Sequence, residues 1–490
     1  MRSAARVLAV WLTPALVLAI PAALAERGPG GLWLGLVVMV VPLVILGLQP
    51  ESVEPSGQPL FSVVTLLLTV GMLLWANIAL AGDVAAWLGA QRWQGTVVTA
   101  VAGWLLTAWR PLRRTAPLLL VLALMAAVLP LLQVGWALGL GPVAAWDRVA
   151  SQQAFRFSSS SPWVTTGRVL ASSRGGAPLI FDEVHRLTAP AGGVLRVRTF
   201  DAGRASEMDW TLTPGQTVTL RPGDELLRGS RIRLRFEADK RVPGAPASGV
   251  AWADGRSRHL LERVALLITL LVGAAALLRA GLTVKLPRYR VGLVAAGLLA
   301  AFAWSEGWTI YSLIQAPDVF LGGITLDRLV ELPAPALFAE PWRRVLQAML
   351  LGAGLALFLA SSVALRERLG ALDPTGGGEI GRDPGLWAGL FGGAALASLW
   401  PADPWALTLL ALGGAGCALG PAALWPTRPE RAALATTAGV VGLIVFASFA
   451  AAQLRGSSGG GLLSVAVAYP ALVGAPAGAL VLWLGRGGRR

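Results

Sequence analysis

"TPGQTVTLRPGDELLRGSRIRLRFEADKRVPGAP", residues 213–246, is a charged, turn-punctuated stretch inside a chain that is otherwise strongly apolar. In its "RIRLRFE" segment, Ile232, Leu234 and Phe236 alternate with Arg231, Arg233 and Arg235. Alternation with period two gives a strand one apolar and one charged face. Turns interrupt the stretch at Pro214-Gly215, Pro222-Gly223-Asp224, Arg228-Gly229-Ser230 and Pro243-Gly244. Proline presets φ at the first corner of such turns, and glycine admits positive φ at the second. Short strands between them, with no helical period, predict a small antiparallel barrel or sandwich.

The same pattern extends upstream through "QTVTLR", "MDWTL" and "GGVLRVRTF", where Val194, Leu195 and Val197 are interleaved with Arg196 and Arg198. Further back, residues 151–187 read as short strands with Ser- and Gly-rich loops. Apolar runs resume on both sides. The β-rich domain is therefore expected over 141–258, with membrane regions at 1–140 and 259–490.

Composition supports that division. The chain has 490 residues, 55% hydrophobic and 14% charged, with 20 tryptophans and a mean hydropathy of +0.64, which is a membrane composition. A span needs about 20 apolar residues. By that ruler about twelve helices are expected, about five before the β-domain and about seven after it. They fall at 7–25, 32–49, 60–81, 94–109, 116–140, 259–280, 291–314, 345–364, 385–400, 405–424, 432–452 and 462–485. The opening "MRSAARVLAVWLTPALVLAIPAALAER" has a basic start, an apolar middle and an Ala-Leu-Ala end, so it reads either as a retained first helix or as a cleaved secretory signal.

The formal charge of +14 is distributed in short loops between apolar runs, which is a positive-inside signal and not a nucleic-acid footprint. With a cytoplasmic amino terminus, the cytoplasmic side gathers Arg110, Arg113, Arg114, Lys285, Arg288, Arg290, Arg366, Arg368 and Arg382, among others. The loop at 49–59 has no positive residue and is the exception. This orientation puts 141–258 outside the cytoplasm. Richness in alanine, glycine and arginine suggests a bacterial chain, hence an inner-membrane protein with a periplasmic domain.

Chemistry-bearing residues are sparse. Cys417 is the one cysteine and lies in an apolar run, so it reads as a packing residue. The two histidines, His185 and His259, have no second ligand at metal spacing, and neither a metal nor another cofactor is expected. "FDEVH" sets Asp182 and Glu183 beside His185, either an acid–imidazole pair or a polar strand edge. Glu306, in "FAWSEGWTIY", is the leading intramembrane candidate, because a carboxylate in a span is costly. It takes a proton, binds a cation or pairs with an arginine, or it snorkels among Trp304, Trp308 and Tyr311. Asp83, Asp403 and Arg343 are further interfacial candidates. Arg231, Arg233 and Arg235 form a stripe for lipid headgroups, glycans or an acidic partner, or a solvated face that blunts edge pairing. Residues 316–344 suggest an amphipathic helix lying on the outer surface.

Three functions fit these features. The first is a non-catalytic component that presents the β-domain to an envelope or membrane complex, with lipids and other membrane proteins as partners and no nucleic acid. The second is an enzyme, polymerase or flippase acting on lipid-linked envelope intermediates through Glu306, Asp83, Asp403 and Arg343. The third, an ion-coupled transporter, rests on Glu306 alone.

Overall fold

The computed structural model describes residues 2–47, 59–87, 90–109, 138–157, 179–201, 204–227, 231–232, 234–254, 260–279, 287–315, 342–371, 379–399, 403–424, 432–454 and 462–487. It also describes Val164, Thr165, Phe320 and scattered positions between 115 and 136.

Helices dominate. The N-terminal set comprises α1 (Arg2–Trp11), α2 (Pro14–Arg27), α3 (Leu32–Gly47), α4 (Pro59–Trp87), α5 (Arg92–Ala108) and the short α6 (Pro142–Ala150). After the strands come α7 (Gly249–Asp254), α8 (Leu260–Ala274), α9 (Arg288–Gln315), α10 (Trp342–Ala371) and α11 (Glu379–Arg382). The chain continues with α12 (Pro384–Ala397), α13 (Pro404–Leu424), α14 (Ala432–Leu454), α15 (Leu462–Ala468) and α16 (Ala471–Gly487).

Among the described residues, five helical stretches are long and apolar enough to cross a membrane: Gly28–Gly47, Leu60–Ala85, Leu260–Leu278, Arg288–Tyr311 and Ala432–Gln453. Ala4–Trp11 and Pro14–Ala25, bent by 68° at their junction, make a sixth if taken as one span. Of the other expected spans, 116–140 lies largely outside the described residues. Those at 94–109 and 385–400 form helices of 17 and 14 residues. A 14-residue helix is only about 21 Å long, short of a hydrocarbon core of about 30 Å. The span expected at 462–485 is interrupted at Pro470, between α15 and α16.

The α1–α2 bend sits inside the bundle, with Trp11, Leu12 and Leu16 all buried. These opening helices pack on α9 and α10, so the stretch that also reads as a signal sequence is built into the core. Small residues let the later helices close up, as their composition suggests. A Cβ added at Gly442 would lie 2.6 Å from the Cys417 carbonyl oxygen, and one at Gly416 would lie 2.3 Å from a Val272 methyl.

Among the described residues the strands form two separate antiparallel sheets, a sandwich-like arrangement. One has the order β1 (Val164–Thr165), β9 (Leu234–Phe236), β3 (His185–Thr188), β6 (Thr217–Leu220). The other has the order β2 (Leu179–Ile180), β7 (Glu225–Leu226), β4 (Gly193–Asp201), β5 (Arg204–Leu212), with β8 (Arg231–Ile232) also on β4. Leu187, Leu220, Leu234 and Phe236 from the first sheet and Leu195, Val197, Leu226 and Ile232 from the second share one core. Gly215 and Gly223 take φ of 80° and 90°, as the Pro-Gly turns require. The amphipathic helix expected at 316–344 lies outside the described residues apart from Phe320 and the start of α10.

Candidate functional site

The junction between sandwich and bundle is the most elaborately built polar feature. The chain enters the β-region through α6 and leaves it through α7, and the two pack side by side. Gly249 makes this possible: an added Cβ would lie 2.0 Å from the Val149 carbonyl oxygen, and the Gly249 N–H donates to the Gln152 carbonyl at 2.7 Å. The rings of Trp146 and Trp252 meet at 5.0 Å, tilted by 52°. Trp252 is buried and donates its indole N–H to the Ala25 carbonyl in α2 at 3.0 Å. The Tyr311 hydroxyl in α9 donates to the Leu140 carbonyl, just before α6, at 2.7 Å. Buried indoles and phenols need such partners, and here each bond joins a bundle helix, α2 or α9, to the chain at one end of the β-region.

Glu306 lies on α9, five residues before Tyr311 and the junction. It is half-buried, and among the described residues no side chain is recorded in hydrogen-bonding or ion-pairing contact with it. Its neighbours on the helix are engaged locally: the Ser305 hydroxyl donates to the Ala301 carbonyl at 2.8 Å, and Thr309 donates to the Pro21 carbonyl in α2 at 3.3 Å.

The other interfacial candidates do not converge on it. Asp83, near the end of α4, pairs with Arg92 at the start of α5 at 3.1 Å, which fastens two consecutive helices. Asp403 caps α13, its side chain accepting from the Trp405 N–H at 3.0 Å, the usual work of aspartate at that position. Arg343 falls in α10, and its side chain is outside the described residues.

The arginine stripe is divided. Arg231 sits in β8, opposite Val194 of the five-stranded sheet, whereas Arg235 sits in β9, opposite Thr188 and Val164 of the other. β8 and β9 belong to different sheets, so Arg231 and Arg235 do not share one sheet face. Arg235 is exposed; the side chains of Arg231 and Arg233 are outside the described residues.

The charged ladder runs instead through β4. Arg198 contacts Glu207 of β5 at 2.6 Å and Glu225 of β7 at 2.7 Å, and Arg196 lies 3.6 Å from both Glu207 and Asp209. The hydrogen bond from Arg198 is the largest influence on the Glu207 carboxyl and holds it below the ordinary carboxylate value.

"FDEVH" does not form an acid–imidazole pair. Asp182 binds the Arg241 guanidinium at 2.9 Å, and Glu183 accepts from the Arg241 backbone N–H. His185 turns inward among Phe181, Phe157 and Phe236, with ring centroids at 5.1, 6.5 and 6.3 Å. Burial holds its imidazole below the ordinary value despite nearby Glu183 and Asp182.

Two further polar devices have no local signature. Asn77, buried in α4, accepts from the Ala15 N–H at 3.1 Å and donates to the Leu73 carbonyl at 2.6 Å, so it serves the backbone freed at the α1–α2 bend. Arg366, counted by sequence among loop charges, is buried within α10. It donates to the Gly381 carbonyl at 2.5 Å and lies 5.2 Å above the Trp387 ring. Among the described residues no group of three or more His, Cys, Asp or Glu side chains is arranged to hold a metal ion. No protein-family model matches the chain, and no curated protein matches it either.

Proposed function

We propose that this is a bacterial inner-membrane protein whose helical bundle holds the β-sandwich on the periplasmic side, for docking to another component of the cell envelope. The observation that carries this reading is the junction. The chain just before α6 and α7 itself are both tied to bundle helices, through Tyr311 to Leu140 and Trp252 to Ala25, which supports a fixed attitude of the sandwich to the bundle. A domain that only had to be tethered would need no such bonding. The orientation rests on the loop arginines and a topology of about twelve spans. Reporter fusions at Gly175 and Gly377 test it, a periplasmic signal being expected at the first and a cytoplasmic one at the second. Purification from native membranes tests the docking role: a partner in fixed stoichiometry is expected with the intact chain and not with a chain lacking 150–250.

Glu306 favours a second reading, action on a lipid-linked envelope intermediate or coupling to an ion. A half-buried carboxylate in a span, with no pairing side chain among the described residues, is a costly feature. Binding of a labelled lipid-linked saccharide by the purified protein, lost in Glu306→Gln, would select that reading.

A further inference from the structure

α15 and α16 are one apolar run interrupted at Tyr469-Pro470. Pro470 has no N–H, so the Ala466 carbonyl four residues earlier loses its helical donor. Non-helical backbone of this kind is tolerated among membrane helices where it lines a cavity. Here it does: Ala468, Tyr469 and Pro470 form one wall of a narrow cavity, and Thr269 of α8 with Phe446 and Gln453 of α14 form others. Phe446 is pressed onto α13, where a Cβ added at Gly413 would lie 2.8 Å from its ring. The interior admits one water-sized particle, with about 10 Å³ for the particle's centre to occupy.

The polar side chains at this cavity offer oxygens. Gln453 Oε1 is buried with no hydrogen-bond partner among the described residues. The Thr269 hydroxyl donates to the Ala265 carbonyl at 2.8 Å, so what it has left to offer is a lone pair and not a proton. The opening N–H groups of α16 are spent: Leu472 donates to the Tyr469 carbonyl at 2.9 Å, and Val473 and Gly474 to the Pro470 carbonyl at 3.2 and 3.1 Å. An anion is therefore disfavoured. The lining residues include no carboxylate, so a divalent ion would keep an uncompensated charge. A water molecule donates to two acceptors only, whereas a cation takes every oxygen within reach.

We propose that this cavity binds one sodium ion, coordinated by Gln453 Oε1, Thr269 Oγ1 and carbonyl oxygens released at the α15–α16 break. Unwound carbonyls of broken membrane helices are suited to a monovalent cation. Sodium is smaller than a water molecule and fits the interior; potassium, about as large as water, fits less well. The site shares no residue with α9, which carries Glu306, or with the sandwich junction, so it goes beyond the docking reading and does not rest on it.

The test is equilibrium binding of radioactive sodium to the full chain in phosphatidylcholine nanodiscs, with choline chloride holding the ionic strength constant. One saturable ion per chain is expected. Gln453→Leu and Thr269→Val, both close in size to the parent residues, should weaken it at least tenfold; Gln453→Glu, which supplies a charged oxygen, should tighten it. Sodium should also raise the thermal midpoint of the parent above that in equal potassium, and lose this advantage in Gln453→Leu. Near-ultraviolet dichroism establishes that each variant is folded, and Thr269→Val with Gln453→Glu decides the matter should Gln453→Leu unfold. Absence of saturable binding above physiological sodium, binding indifferent to these variants, or tighter binding of potassium would each overturn the proposal.

Discussion

The indole N–H of Trp252 meets the carbonyl oxygen of Ala25 at 3.0 Å, across a sequence separation of 227 residues. One residue lies at the exit of the β-sandwich and the other in the second helix of the chain, so this contact fixes how the two halves of the molecule are joined.

Removing it has graded consequences. Trp252→Phe keeps most of the packing and loses one hydrogen bond, a loss of about 1 kcal/mol. Trp252→Ala leaves a cavity as well, and about 3–5 kcal/mol is expected. Gly249→Ala forces a methyl into the Val149 carbonyl, at a cost of about 1–3 kcal/mol. Thermal unfolding in nanodiscs reads the order, and electron–electron distances between a label on the sandwich and one on α14 should broaden in Trp252→Ala and stay narrow in the parent.

His185 makes the sandwich acid-sensitive. Its folded value lies below the ordinary 6.5, so the unfolded chain takes up a proton more readily than the folded one. Its stability contribution is complete above about pH 6.5 and falls as the pH drops toward and through the folded value. His185→Phe should flatten that limb. Hydrogen exchange of β3 amides between pH 7 and 5 measures it; an unchanged limb in the variant would remove His185 as the cause.

Glu207 should titrate below a free glutamate, because Arg198 bonds its charged form. Arg198→Met should return it toward the ordinary value of 4.5. Carboxyl carbon shifts in a labelled sample report both. By the same linkage the ladder contributes above the ordinary value and is lost as pH falls through the lowered one.

Asn77→Leu strands the Ala15 N–H inside the bundle. An unsatisfied buried donor costs about 1–3 kcal/mol, so a clear drop in midpoint temperature is expected. Asn77→Asp should lose less only at pH below its own titration, where the protonated carboxyl keeps both an acceptor for Ala15 and a donor for the Leu73 carbonyl; once ionised it is a buried unpaired charge.

What the sequence disclosed follows from periodicity. Ile232, Leu234 and Phe236 alternate with arginines and all three are buried, and the glycines of the Pro-Gly turns take positive φ. The apolar runs mark helices wherever they are described. Alternation cannot show, however, that a strand changes sheets in mid-run, which is why Arg231 and Arg235 part company. Interactions over long separations were equally hidden: Trp252 to Ala25 and Asn77 to Ala15 follow from tertiary packing, and neither residue has a local pattern. Arg366 was misplaced because a cation near the end of an apolar run resembles a loop charge until the carbonyls and the indole that receive it are known. Asp83 and Asp403 were legible as polar groups near helix ends, but their fastening and capping roles depend on which N–H or guanidinium lies within reach.

Docking through the sandwich, as proposed, makes the sandwich, held by the bundle, the part of the protein that acts. The most direct measurement is complementation of a null strain by two variants inserted at wild-type levels: one lacking 150–250, the other carrying Glu306→Gln. The docking account predicts that the first fails and the second restores the parental phenotype. Restoration by the truncated chain together with failure of Glu306→Gln would contradict it and move the function into the membrane.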